Sequence, residues 1–184
     1  MSKKKKMILT GLIACIIILV SILTIIFSRN LLTKNRIKKD IESTLSCIVH
    51  NDFSNGFYYM NVNGYPLSYI NMTEFDNMVA TNVKFKVLDI ETKNNEAIAK
   101  IEMEYPNLAK QLETLKLDNL TSNSFDFNNA DSVKKEFDIY LLKNDNHWIL
   151  LQNKEIMDAF SGGLSSVYSN AEKESYEKLL EEIK

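Results

Sequence analysis

The feature that most constrains this chain is an uncharged apolar run near its N-terminus, from Met7 to Phe27. The run has 21 residues. At about 1.5 Å per residue, a helix of that length spans the roughly 30 Å hydrocarbon core of a bilayer. Only Thr10, Ser21 and Thr24 interrupt its apolar surface, whereas a core helix of a water-soluble protein would carry a polar stripe. The run therefore predicts a transmembrane helix over residues 7–27.

Two kinds of cleavable signal compete with this anchor. The residues from Leu12 to Cys15 fit the small-residue pattern that precedes a lipidated cysteine, and cleavage there would begin a lipoprotein at Cys15. A mature lipoprotein usually begins with a polar tether, but residues 16–27 continue the apolar run. No small-x-small site for an ordinary signal peptidase follows the run. We therefore expect the helix to be retained, with lipidation of Cys15 as the open alternative.

The orientation of the helix follows from its short N-terminal tail, residues 1–6. Basic residues flank the apolar run on both sides, so the positive-inside bias alone is weak. The tail carries Lys3 to Lys6, and moving each charge outward costs roughly 2.3 kcal/mol per 100 mV of membrane potential. We therefore predict a single-pass protein of the cell membrane whose C-terminal domain lies outside the cytoplasm.

The part of the chain beyond the anchor is strongly acidic. From Asp40 onward 13 basic residues face all 24 acidic residues, a formal charge of −11. Such a domain repels phosphate backbones, and the sequence lacks a clustered basic face with interleaved aromatic residues, so nucleic-acid binding is not expected. Cys47 is the only cysteine outside the apolar run, and we expect no disulfide.

The alternation of helix and strand patterns predicts a juxtamembrane segment at residues 28–36 and one α+β domain at residues 37–164. An amphipathic first helix runs from Leu31 to Val49, with apolar residues three or four apart among charged ones. Its basic opening, Lys34 to Lys39, either rests against lipid headgroups or forms an ordinary solvated face. Thr73 and Asp76 resemble a capping box that opens a short helix.

Strand periodicity dominates the middle of the domain. Residues 83–105 form one predicted hairpin around a turn at Thr92 to Asn95, and residues 137–151 form a second around Lys143 to Asn146. Both have one apolar and one charged face, which is typical of an antiparallel sheet with one wet side. Between them Pro106 is placed to start a short helix, and Asn119 to Asp131 is typical of a long loop. The residues expected to point inward are all apolar: Val83, Phe85, Val87, Ile101, Met103, Phe137, Ile139, Leu141 and Trp148.

A helix from Lys154 to Phe160 is predicted to end at Gly162 and Gly163. Residues 165–184 then carry the apolar stripe of an amphipathic C-terminal helix. An isolated helix of that length is marginal in water, so it either packs on its own domain or docks a partner or a second copy. The aromatic-rich segment around residues 53–70 either packs in the core or lines a ligand cavity.

The sequence offers no constellation typical of an active site or a metal site. His50 and His147 are the only histidines, and neither has a nearby cysteine or suitably spaced carboxylates. Ser46, Ser54 and Ser161 lie outside any nucleophile-elbow pattern, and a glycine-rich phosphate loop is missing. Glu102 and Glu104 are expected on a solvated strand face. We therefore predict no catalytic, cofactor-binding or metal-binding residue.

The stretch from Phe137 to Leu164, FDIYLLKNDNHWILLQNKEIMDAFSGGL, orders a strand, a polar turn, a strand with Trp, a short helix and a Gly-Gly pair. This order is similar to the end of small exported lipoproteins and membrane-anchored envelope proteins of Gram-positive bacteria. From about Ile37 to Leu164 the elements resemble the nuclear transport factor two-like superfamily of cystatin-like α+β cones. The resemblance implies helices packed on a curved antiparallel sheet, and it transfers no active site. A helix at Pro106 to Leu115 and the final helix depart from its pattern.

Together these features predict a non-enzymatic interaction or structural module of the bacterial cell envelope. Its expected partners are the membrane, through residues 7–27, and a protein or a second copy of the chain. Two alternatives are a subunit of a conjugation or secretion apparatus, because anchored cones of this kind build such channels, and a lipoprotein-like binder of a small apolar ligand.

Overall fold

The computed structural model describes residues 3–52, 59–60, 73–115, 124–127 and 129–170. A long apolar N-terminal helix is followed by a curved, mainly antiparallel sheet with short helices packed against it, which confirms the predicted α+β class. Most of the predicted aromatic-rich segment, much of the predicted loop at residues 119–131 and the last part of the C-terminal helix, residues 171–184, lie outside the described residues.

Helix α1 is continuous from Lys3 to His50, a length of 48 residues. It contains the predicted transmembrane helix, the predicted juxtamembrane segment and the first helix of the domain. No proline occurs in it and no glycine follows Gly11, so nothing in its second half forces a kink. The helix ends where Asn51 takes a positive φ of 51° and the Asp52 N–H donates to the Cys47 carbonyl at 3.0 Å.

The sheet contains both predicted hairpins. The strands that the structure describes are β1 Tyr59–Met60, β2 Lys84–Lys93, β3 Glu96–Pro106, β4 Ser132–Asn144 and β5 His147–Leu151. They lie in the spatial order β1, β5, β4, β3, β2, and all neighbours are antiparallel except β1 and β5. Asn94 and Asp145 make the two hairpin turns with positive φ angles of 57° and 51°, a conformation that Asn and Asp tolerate best after glycine.

Helix α2, Glu74–Ala80, begins with the predicted capping box. The Thr73 hydroxyl accepts the Asp76 N–H at 3.2 Å, and the Asp76 carboxylate accepts the Thr73 N–H at 2.9 Å. These two bonds satisfy backbone donors that a helix start leaves unpaired.

The prediction that Pro106 starts a helix was wrong by two residues. Pro106 is the last residue of β3, where it lies opposite Ser132 of β4. Helix α3 is Leu108–Leu112, and the Asn107 side chain caps it by accepting the Lys110 N–H. The strand extends through the proline because a strand end tolerates the missing N–H donor.

Helix α1 packs on the inner side of the curved sheet, where it contacts β2 on one side and β5 on the other. Its Ile37, Ile41 and Leu45 are completely buried. All nine residues that were expected to point inward lie in or against this core; Phe85 and Phe137 are the two that remain partly exposed. The core is therefore shared between the sheet and the same helix that carries the apolar run.

The outer face of the sheet is charged, as predicted, but its acids are not simply solvated. The Glu102 carboxylate lies 2.9 Å from the Lys134 ammonium on the neighbouring strand, and Glu104 lies 3.7 Å from Lys84. These cross-strand pairs join β2, β3 and β4 on the outer side of the sheet.

Helix α4, Lys154–Phe160, ends at the predicted glycine pair. Gly162 and Gly163 have positive φ angles of 64° and 86°, and residues 164–170 are helical again. The Gly162 carbonyl accepts the backbone N–H groups of Leu108 and Ala109 at 2.9 and 3.2 Å. The glycine turn thus holds the start of α3 against the end of α4.

Candidate functional site: an apolar helix joined to the domain

The apolar half of α1 stands clear of the domain. Every side chain from residue 15 to residue 32 is exposed, including Phe27 at 72% and Leu32 at 68%. Within the described part of the chain, this is the one helix long and apolar enough to cross a membrane. Exposing an apolar surface of this length to water is unfavourable, so another apolar environment is needed around it. The helix is therefore compatible with a membrane anchor or with a signal sequence.

Burial begins where the helix meets the sheet. Thr33 and Lys34 are half-buried, and Ile37, one turn further, is completely buried. The Lys34 ammonium lies 3.6 Å from the Asp89 carboxylate on β2. No spacer separates the exposed apolar helix from the helix that fills the core.

A second contact joins α1 to strand β5 through Asp40. The Asp40 carboxylate accepts the Trp148 N–H at 2.8 Å and lies 3.6 Å from Nδ1 of His147. The carboxylate is 12% exposed, so the charge is mostly withdrawn from water. His147 begins β5 beside the turn, as predicted, and Asp40 is the partner that sequence spacing did not indicate because it lies 108 residues before Trp148.

A polar cluster lies on the inner side of the sheet, at the end where α4 packs. Lys135 follows the inward alternation of β4, opposite Met103, and its ammonium lies 3.2 Å from the Asp158 carboxylate. The Tyr105 hydroxyl lies 3.4 Å from the same carboxylate oxygen. The Ser166 N–H donates to the other oxygen at 3.0 Å. One carboxylate therefore connects β3, β4, α4 and the helical residues 164–170.

The protonation of this cluster follows from its surroundings. Burial by itself raises the pKa of Asp158, but hydrogen bonds from Ser166 and the Lys135 ammonium outweigh it and hold the pKa below its ordinary value of 3.8. Burial is also the largest cause that raises the pKa of the Tyr105 phenol. At neutral pH the carboxylate is charged and the phenol keeps its proton. Because both oxygens of Asp158 are engaged, the cluster fastens elements together.

Only apolar residues were expected to point inward, so this polar cluster was not predicted from the sequence. The signal was present in β4, where Lys135 occupies the same alternation phase as Phe137, Ile139 and Leu141. A lysine in an inward phase needs a buried or half-buried anion. Its partner, Asp158, was hidden among the helical residues of α4, 23 positions further along the chain.

Replacement of Asp158 by Ala is expected to lower the free energy of unfolding by about 2 kcal/mol, because a hydrogen-bonded buried carboxylate is lost while the half-exposed Lys135 ammonium can turn toward water. Urea unfolding of the domain from Thr33 onward measures it. Asp131→Ala is the matched control, because Asp131 pairs with Lys110 at 2.6 Å on the open surface and its loss should change little. Equal effects of the two variants would contradict the role assigned to Asp158.

The lowered pKa of Asp158 predicts that the stability of the domain depends on pH. The pKa of Asp158 is lowered in the folded state, so its charged form stabilises the fold above the ordinary value of 3.8, and that contribution disappears as pH falls through the folded-state pKa. The stability difference between the wild type and Asp158→Asn should therefore be constant around neutral pH and shrink below about pH 4. A difference that grows on acidification would contradict this sign.

The histidine and serine candidates do not assemble into a catalytic arrangement. Nδ1 of His50 lies 2.8 Å from the Ser46 carbonyl and 3.3 Å from the Ser46 hydroxyl, within one turn of α1. The Ser161 hydroxyl donates to the Asp158 carbonyl and accepts the Ser165 N–H, so it closes the α4 turn. Ser54 lies outside the described residues.

The two cysteines are unpaired and occupy different surroundings. Cys15 is exposed on the apolar helix, and Cys47 is buried beside the end of α1. Burial raises the pKa of the Cys47 thiol, and the Asp52 charge raises it further, so the thiol stays protonated at neutral pH. Within the described ranges, no group of three His, Cys, Asp or Glu side chains is placed to hold a metal ion.

The candidate site is therefore the junction between the exposed apolar helix and the domain, where Lys34 and Asp40 hold α1 to strands β2 and β5. No protein-family model, curated protein or solved structure matches this chain.

Proposed function

We propose that this protein is a single-pass, membrane-anchored interaction or structural module of the bacterial cell envelope, with its C-terminal domain outside the cytoplasm. One observation carries the proposal. Helix α1 is unbroken from Lys3 to His50, exposed over residues 15–32, apolar as far as Phe27, and part of the domain core from Ile37 onward. The same helix therefore both enters the membrane and supports the domain.

The absence of a spacer supports an anchor that positions its domain. A flexible linker would let a domain explore distances set by the linker length, whereas a continuous helix fixes the height of the domain above the membrane. The basic tail Lys3 to Lys6 supports a cytoplasmic N-terminus. A fixed height suits a module that presents one surface to a neighbour.

The outer face of the sheet supplies a surface for such a neighbour. Ile98, Tyr140 and Leu142 are 39%, 56% and 43% exposed, and Ile98 lies directly opposite Tyr140 on the β3–β4 ladder. They interrupt a face that is otherwise charged. This patch supports a contact with a protein partner, in keeping with an envelope module or a subunit of a larger conjugation or secretion apparatus.

We also propose that the domain is related to the nuclear transport factor two-like superfamily. The order of a long helix, a curved antiparallel sheet and short helices supports a relation to the nuclear transport factor two-like cones. In this chain helix α1 fills the inner side of the sheet, so the inner side is used for packing. For that reason the small apolar ligand is the less supported alternative.

The location of the domain is tested on intact protoplasts. The full chain should stay in the membrane pellet after carbonate extraction, and externally added protease should remove residues 40–184 without lysis, because the basic tail resists translocation. A cytoplasmic protein that stays intact is the control for leakage. Protection of the domain until lysis would contradict the envelope location, and release by carbonate would contradict the anchor.

A further inference from the structure

We infer that a bulge in strand β2, centred on Leu88, rests on the headgroups of the membrane that holds α1. The inference depends on the proposed anchor, and it deepens that proposal by naming the part of the domain that meets lipid. It rests on the height of β2 above the apolar run, on the shape of the strand and on the charges beside Leu88.

The height follows from the unbroken helix. Lys34 lies seven residues beyond Phe27, the end of the apolar run, which is about 10 Å of helical rise. The headgroup layer of one leaflet is roughly 5–8 Å thick. Because the Lys34 ammonium lies 3.6 Å from the Asp89 carboxylate, this part of β2 is held at the outer edge of the headgroups. With no spacer in α1, the domain has no freedom to move away.

The strand is irregular at this same place. Val87 lies opposite Ile101 and Asp89 lies opposite Lys100, so Leu88 is the extra residue of a β-bulge. A bulge re-aims the side chain of the extra residue away from the regular alternation. Leu88 is 38% exposed, while Val87 beside it is buried. The bulge therefore presents an apolar side chain outward next to the pair that marks the membrane level.

Basic side chains flank Leu88. Lys86 and Lys93 are exposed on the same edge strand, and neither forms an ion pair with another described residue. An apolar side chain between long cationic ones is the pattern of an interfacial contact, in which the apolar group enters the boundary layer and the ammonium groups remain at the phosphates. The other carboxylate of β2 is that of Glu91, which is exposed and is not part of the pair between Lys34 and Asp89.

The test uses tryptophan emission from the full-length chain in bilayers of lipids that are brominated near the headgroup end of the acyl chains. Trp148 is the only native tryptophan and is 2% exposed, so it provides a constant background. Leu88→Trp should add a blue-shifted emission that the brominated lipid quenches. His50→Trp is the matched control, because it is an exposed position on α1 about 35 Å of helical rise beyond Phe27. Its added emission should be red-shifted and unquenched.

Three outcomes would overturn the inference, and they separate it from the proposed anchor. Emission from Leu88→Trp that is as unquenched as that of the His50→Trp control, in a chain that resists carbonate extraction, would show an anchored domain whose bulge does not meet lipid. Equal quenching of both variants would show that the contact is not specific to the bulge. Release of the chain by carbonate would remove the anchor itself and the inference with it.

Discussion

Removal of residues 1–32 should leave a domain that unfolds cooperatively in water, whereas removal of residues 1–50 should abolish folding. The first deletion removes residues 15–32, whose side chains are all exposed, together with the residues before them. The second removes Ile37, Ile41 and Leu45, which are completely buried, and Ile48, which is 4% exposed. Truncating a single buried Ile or Leu costs about 2–5 kcal/mol, and a whole domain is stable by only about 5–15 kcal/mol. Circular dichroism during heating and urea titration measures both proteins.

A pair of substitutions in the full-length chain tests the same division of α1 more finely. Ile41→Ala should destabilise the domain by about 2–4 kcal/mol, because Ile41 is completely buried against the sheet. Ile25→Ala is the matched control, because Ile25 is the same residue type on the same helix but lies in the apolar run and is 54% exposed. It should leave the stability of the domain nearly unchanged. Cooperative unfolding of a chain that begins at Asn51 would contradict the shared core.

Replacement of Gly162 by Ala should lower the free energy of unfolding by about 2–4 kcal/mol. A Cβ at this position would lie 2.7 Å from Cγ of Leu108 and 3.1 Å from the Pro106 carbonyl oxygen. Leu108 is completely buried and cannot move aside easily. The φ angle of 64° adds backbone strain for any residue with a Cβ. Urea unfolding of the domain from Thr33 onward measures the loss.

The matched control for this glycine is its neighbour. Gly163→Ala has the same kind of backbone strain, with a φ of 86°, but among the residues that the structure describes its new Cβ would meet only Cβ of Ala109, at 3.2 Å. Its expected cost is about 1–2 kcal/mol, mostly from the strain. The difference between the two variants therefore isolates the overlap with Leu108. Equal costs would mean that the glycine pair is required for its backbone conformation alone.

The features that the sequence predicted are those encoded within a few neighbouring residues. The capping box at Thr73 and Asp76, the two hairpins and the Gly162 stop each depend on local hydrogen bonds or on a short periodicity. The inward residues of the sheet were identified for the same reason, because alternation over one strand assigns each side chain to a face. The apolar run was equally clear, since length and lack of charge alone decide whether a helix fits a bilayer.

What only the tertiary structure decided depends on residues that are far apart in the chain. Hydropathy divided this region into a transmembrane helix, a juxtamembrane segment and a domain helix. Because the residues between them are all compatible with a helix, the three form the single helix α1. The pairing of Asp40 with Trp148 and of Lys34 with Asp89 arises only when α1 packs on the sheet, and that of Lys135 with Asp158 only when α4 does. Periodicity can place a charged residue such as Lys135 on the inner face, but it does not identify the partner, which is chosen by packing and by the need to neutralise a charge withdrawn from water. The sequence by itself thus determined which elements form and which faces they bury, and the fold determined how the anchor is fastened to the domain.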